Sequence, residues 1–118
     1  MEFVAFVGKD KENWGQIQAL INRLDCEQIF LVKDKDVEDS LKNNKTEIVN
    51  INSSAPLMEL KQEIMQKLKG KLRGELEVSV SIASGNGKEH MALISALLSI
   101  PVGIRFVVFT QKGIEFIN

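Results

Sequence analysis

The chain has one cysteine and one histidine among its 118 residues. A single thiol excludes an internal disulfide, and with one imidazole no Cys/His zinc site can form. No charge of either sign predominates: 15 Lys and Arg against 16 Asp and Glu leave a net charge of -1. That argues against general nucleic-acid binding, which shows a basic excess, but leaves room for a local basic pocket. No apolar run approaches the roughly 20 residues that a membrane-spanning helix requires. Met1 leads within two residues into a strand-like run with no basic leader. Neither a signal peptide nor a membrane span is expected, and a cytoplasmic location follows. Internal repeats, low-complexity tracts and linkers are also missing, so residues 1–118 read as one domain.

What the chain does have is an ordinary globular balance, 44% hydrophobic and 26% charged, with enough length for a real core. Phe3–Val7 (FVAFV) and Gln28–Val32 (QIFLV) are short continuous apolar runs, the pattern of strands buried on both faces. Thr46–Ile51 and Ile104–Phe109 add two more strands, and Leu76–Ile82 alternates apolar and polar residues with the period of a strand. Ile114–Ile117 returns after a Gly-containing turn as a short sixth strand, closing a hairpin. Between the strands, Trp14, Ile17, Leu20, Ile21 and Leu24 recur at helical spacing, with Asp10 placed to cap that helix. Lys33–Asn44 is polar, with Val37 and Leu41 one turn apart, and predicts a short, weakly held helix. Ser54 and Pro56 signal the start of a further helix, whose stripe of Leu57, Leu60, Ile64 and Leu68 ends near Gly70. Its lysines at 61, 67, 69 and 71, with Arg73, are read as a solvated face because no aromatic residues are interleaved to stack bases. Lys88–Ile100 is a helix apolar on nearly every side, stopped by Pro101.

Alternating strands and helices with apolar strands predict an α/β fold. The expected form is a Rossmann-like three-layer sandwich around a mostly parallel six-stranded sheet with a C-terminal β-hairpin. In the doubly wound arrangement strands one and four become neighbours, and their carboxyl ends form the crevice where ligands bind. Gly8 and Lys9 are delivered there from strand one, and Ser84, Gly85, Asn86, Gly87 and Lys88 from strand four. Ser53 and Ser54 lie on the same edge, further away. A Gly-rich turn between strand and helix exposes backbone N–H groups at the positive end of the helix dipole, and two lysines add full charges. These seven residues are the candidate contact set for an anion. The competing reading is a tight turn that merely needs small residues.

Known chemical motifs fail on this chain. The dinucleotide fingerprint requires G-x-G-x-x-G after the first strand, where GKDKEN stands, and a P-loop requires Ser or Thr where Glu89 follows Gly87-Lys88. No carboxylate pair is expected at the crevice, and no metal or cofactor is implied. Ser84 with His90 lacks a third partner for nucleophilic catalysis, and Cys26 falls near the start of strand two, on the edge opposite the site.

The six-strand pattern with its closing hairpin, together with SGNGK ahead of an apolar helix, resembles the CRISPR-associated Rossmann-fold (CARF) ligand-sensing family. That family carries a Ser/Thr-Gly-Gly-Thr-Lys/Arg type motif at this point. Ser84, Gly85 and Lys88 match it, while Asn86 and Gly87 replace the second glycine and the threonine. The resemblance implies a CRISPR-associated, antiviral homodimer paired through the Lys88–Ile100 helix, with a cyclic oligoadenylate in the shared groove. Members usually carry an effector domain, for which 118 residues leave no room. A stand-alone sensor or sponge is therefore one reading, a metal-independent ring nuclease that degrades the signal is another, and a structural or interaction domain without a small ligand is a third.

Overall fold

A computed structural model describes residues 1–73 and 76–118. The strands are β1 (Glu2–Val7), β2 (Gln28–Asp34), β3 (Thr46–Ile51), β4 (Glu77–Ser81), β5 (Gly103–Thr110) and β6 (Gly113–Phe116). The helices are α1 (Trp14–Arg23), preceded by a 3₁₀ turn at Lys11–Asn13, α2 (Leu57–Lys69) and α3 (Gly87–Leu98). The sheet order is β3-β2-β1-β4-β5-β6, parallel through β5, with β6 antiparallel to it. This is the expected mostly parallel sheet with its terminal hairpin, and β1 and β4 are neighbours at its centre.

The burial of β1 explains its unbroken apolar run. Val4 and Phe6 point into the core formed with α2 and α3, whereas Phe3, Ala5 and Val7 point into the core formed with α1. A strand covered on both faces has no position where a polar side chain is tolerated cheaply. β5 outlasts β4, whose last partner on it is Phe106 at Val80. Beyond that point Gln16 of α1 takes over. Its amide nitrogen donates to the Phe109 carbonyl at 2.7 Å, and its carbonyl accepts from the Phe109 N–H at 3.1 Å. Lys67 and Lys71 from the basic stretch are paired with Glu63 and Glu47, as a solvated face predicts.

The structure corrects the segment after β2. No helix forms over Lys33–Asn44: Lys33 and Asp34 extend β2, and turns follow. The reason is the Lys33 side chain, which is buried. Its ammonium donates to the carbonyl oxygens of Val37 (2.6 Å) and Asp34 (3.3 Å) and to Asn50 Oδ1 (3.0 Å), and pairs with Asp39 at 2.9 Å. Carbonyls gathered around one cation cannot point along a helix axis. Val37 and Leu41 are buried as expected, but against the α1 side of the sheet from a loop. Leu76 also departs from its expected place. The β4–β5 ladder starts at Glu77, and Leu76 is 94% exposed.

α3 buries Ala92, Leu93, Ala96 and Leu97 in the core shared with α2 and the sheet. It ends at Leu98, so Ile100 is buried from the following turn. Its outer face stays apolar: Met91 and Leu98 are exposed, with Ile94 half-buried between them. No helix among the described residues is long and apolar enough to cross a membrane.

Candidate functional site

The β1–α1 and β4–α3 loops meet at the carboxyl edge of the sheet, where the doubly wound topology places its switch point. Gly8, just after β1, packs against Gly85 so closely that a Cβ on Gly8 would lie 2.7 Å from the Gly85 Cα and 2.8 Å from its nitrogen. Gly85 itself has φ +104, a left-handed conformation that favours glycine. Both glycines of this junction are thus required by geometry.

Asp10 stitches the two loops together. Its Oδ1 accepts from the Ser84 hydroxyl at 2.6 Å and from the Gly85 N–H at 3.0 Å, and its Oδ2 accepts from Asn13 at 2.7 Å. The Ser84 hydroxyl in turn accepts from the Gly8 N–H at 2.8 Å, and the Trp14 indole donates to the Gly8 carbonyl at 2.9 Å. Burial pushes the Asp10 carboxyl up, but the bonds from Asn13, Ser84 and Gly85 outweigh it and leave the group below its ordinary value. The expectation that Asp10 caps the first helix is corrected here. It makes no side-chain cap bond to the 3₁₀ turn that follows, because both of its oxygens are held as described.

α3 begins with a capping box. Asn86 accepts from the Glu89 N–H at 2.9 Å, and Glu89 accepts from the Asn86 N–H at 2.9 Å. The His90 N–H already reaches the Asn86 carbonyl. Helix geometry leaves the first-turn amides of Gly87 and Lys88 without an intrahelical acceptor. Lys88 reaches across to the Ala55 carbonyl at 2.7 Å, tying α3 to the β3–α2 loop. That loop is anchored from β2: Asp34 Oδ2 accepts from both the Ser53 hydroxyl (2.6 Å) and the Ser53 N–H (2.9 Å). The Ser53 hydroxyl, ahead of the opposing effect of burial, draws the Asp34 carboxyl down to about 2. The helix signal of Ser54 and Pro56 gives a start at Leu57 with Pro56 just before it and no side-chain cap.

These loops enclose a cleft of about 420 Å³ lined by Lys9, Asp10, Ser53, Ser54, Gly85, Asn86, Lys88 and Glu89. Of the seven expected contact residues, Lys9, Gly85, Asn86 and Lys88 line it. Gly8 and Ser84 lie behind it, Ser84 fully buried, and they hold the walls together. Gly87 opens α3 and is not among the lining residues. Sequence reasoning placed Ser53 and Ser54 further off and missed Asp10, Glu89 and Asp34. The expectation of no carboxylate pair at the crevice is therefore corrected: two lysines and two carboxylates line it, for a formal charge of zero. Both carboxylates are hydrogen-bonded to the loops they organise. Ser84 and His90 form no nucleophile–base pair, since His90 donates Nε2–H to the Ser84 backbone carbonyl at 2.7 Å while the hydroxyl belongs to Asp10. Among the described residues no three His, Cys, Asp or Glu side chains gather as a metal site. Cys26 is buried near the amino end of β2, and burial pushes its thiol up.

The fold and cleft define an α/β domain with a ligand-sized crevice at the switch point of a mostly parallel sheet. Compared with known proteins, the chain matches no family model and no curated protein. Among solved structures it is similar to protein VC1899 from Vibrio cholerae, at a TM-score of 0.69 and 19% sequence identity over 98% of this chain. The chain spans 33% of that protein's length. At such identity the likeness is one of fold.

Proposed function

We propose that this chain is a dimeric ligand-binding domain for a nucleotide-type anion held in the carboxyl-edge cleft, with a cyclic oligoadenylate as the ligand. The observation that carries this reading is the distribution of donors in the cleft. Lys9 and Lys88 line one space beside the amino end of α3, while the oxygens of Asp10 and Glu89 accept bonds from Ser84, Gly85 and Asn86. A phosphate meets donors there, at the positive end of α3. The match of Ser84, Gly85 and Lys88 to the CARF motif selects the ligand class. Dimerisation follows from the open face of α3, where Met91, Ile94 and Leu98 form a stripe at helical spacing that a second copy would cover.

The test is amide chemical-shift mapping during titration with cyclic tetra- and hexa-adenylate, with AMP as control. Shifts confined to Gly8, Lys9, Ser53, Ser54 and Ser84–Lys88, lost in a folded Lys88→Ala variant, support the reading. Absence of shifts at millimolar ligand sinks it. New product signals over hours would make the domain an enzyme. Sedimentation of the free protein tests the pairing. A wild type that stays monomeric at the highest soluble concentration removes the α3 argument, whereas conversion of a dimer to monomer by Leu98→Asp supports it.

A further inference from the structure

Ser53 brings to the cleft a neutral acceptor whose polarity is fixed. A backbone N–H can only donate, so the bond from Ser53 N–H makes Asp34 Oδ2 an acceptor. The Ser53 hydroxyl therefore delivers its proton to that same oxygen, at 2.6 Å. Asp34 is 5% exposed, its other oxygen accepts from the Asp36 N–H at 2.9 Å, and its carboxyl lies far below neutrality. The carboxylate thus stays in place as an acceptor. With its proton turned inward, Ser53 Oγ shows the cleft lone pairs only. Lys9 and Lys88 line the same cleft as donors. A ligand that fills this cleft needs acceptor oxygens for the donors and, beside them, one hydroxyl or amine that can donate to Ser53.

We propose that Ser53, positioned by Asp34, selects ribo- over 2′-deoxyribonucleotides by accepting a hydrogen bond from a ribose hydroxyl next to the bound phosphate. This rests on the binding reading above and goes beyond it by assigning the sugar. A site furnished with a fixed acceptor disfavours the analogue that lacks the hydroxyl, because the oxygen then loses the hydrogen bond the ligand would donate. One such bond corresponds to a preference of about tenfold.

The experiment measures affinities by calorimetry for cyclic tetra-adenylate and for the same ring built from 2′-deoxyadenylate. The wild type is expected to prefer the ribo ring about tenfold. Ser53→Ala is expected to bring the ratio to about one by weakening ribo binding alone, and Ser53→Thr, which keeps the hydroxyl, to restore the preference. Ser53→Ala keeps the N–H bond to Asp34, and a circular dichroism melt checks that it folds. Equal binding of both rings by the wild type, or a preference that survives in Ser53→Ala, overturns the selection by Ser53 while leaving the binding site standing. Equal weakening of both rings in Ser53→Ala reduces Ser53 to a purely structural role and also overturns it. Binding of neither ring overturns the underlying site as well.

Discussion

Gly8→Ala should be far more damaging than its chemistry suggests, because the added methyl group would land between the two loops that build the cleft. An ideal Cβ at Gly8 lies 2.7 Å from the Gly85 Cα, 2.8 Å from the Gly85 nitrogen and 2.7 Å from Asp10 Oδ1. Restoring an ordinary carbon–carbon contact of about 3.5 Å requires the loops to separate by about 0.8 Å. The Gly8 N–H to Ser84 bond, now 2.8 Å, would then reach about 3.6 Å, beyond hydrogen-bonding range. The two bonds to Asp10 Oδ1, from Ser84 and Gly85, cross the same gap. Overpacking alone costs about 1–3 kcal/mol, and each bond lost adds about 1 kcal/mol. A destabilisation of about 4–6 kcal/mol is therefore expected, which for a chain of this length lowers the melting temperature by about 16–24 °C. Gly87→Ala is the matched control, since a Cβ there meets nothing within 4 Å and its φ is not positive. It should stay within about 0.5 kcal/mol of the wild type. Urea unfolding of the two variants in parallel decides the matter. If both shift the midpoint equally, or Gly8→Ala shifts it by less than about 1 kcal/mol, the stitched-loop account is wrong.

The Asp34 carboxyl, drawn from its ordinary 3.8 to about 2, contributes stability that is fully present above pH 3.8 and is lost as pH falls through 2. A shift of that size corresponds to about 2 kcal/mol. Asp34→Asn should lose about that much at pH 7 and show a shallower loss of stability on acidification below pH 4 than the wild type; an unchanged acid slope would count against the assignment. Lys33→Met removes the cation that holds the carbonyls of Asp34 and Val37 and the Asn50 side chain. It should cost about 2–3 kcal/mol, with amide hydrogen exchange accelerating first over residues 35–42. Uniform acceleration across the whole chain would show instead that Lys33 holds no local structure of its own.

The strands were legible because burial on both faces leaves little choice of residue. FVAFV and QIFLV could hardly be anything other than interior strands, and once their order was read the switch point followed from topology. The 33–44 segment was not legible in the same way. Val37 and Leu41 have helical spacing and are indeed buried, so periodicity reported their burial correctly and their backbone wrongly. What decides that backbone is the ammonium of Lys33, whose partners lie up to 17 residues away. Asp10 failed for a related reason. Two residues past the strand it has the profile of a cap, but Ser84, its partner, is 74 residues distant, and no local pattern records such a bond. The Asn86-to-Glu89 capping box was legible, since the N-x-x-E spacing stands in the sequence. It would have placed a carboxylate at the crevice and shown that some of the amides of the SGNGK turn are already engaged.

That carboxylate offers a separation between building the site and charging it. Glu89 holds the Asn86 N–H with Oε1 and lines the cleft with a full negative charge. Glutamine serves in the same capping position, so Glu89→Gln should keep the α3 terminus intact and leave the melting temperature nearly unchanged. It removes the charge, however, and shifts the lining from formal neutrality to one net positive charge. At a separation of several ångströms in a partly solvated cleft, one unit charge is worth on the order of 1 kcal/mol. Binding of an anionic ligand is then expected to tighten about fivefold. Because the effect is coulombic, it should shrink as salt shortens the screening length. Titrating wild type and Glu89→Gln at low and high ionic strength checks both claims. If Glu89→Gln binds more weakly than the wild type while its stability holds, the carboxylate touches the ligand directly. The cleft would then be built to receive hydrogen-bond donors, and the anion reading would have to be abandoned.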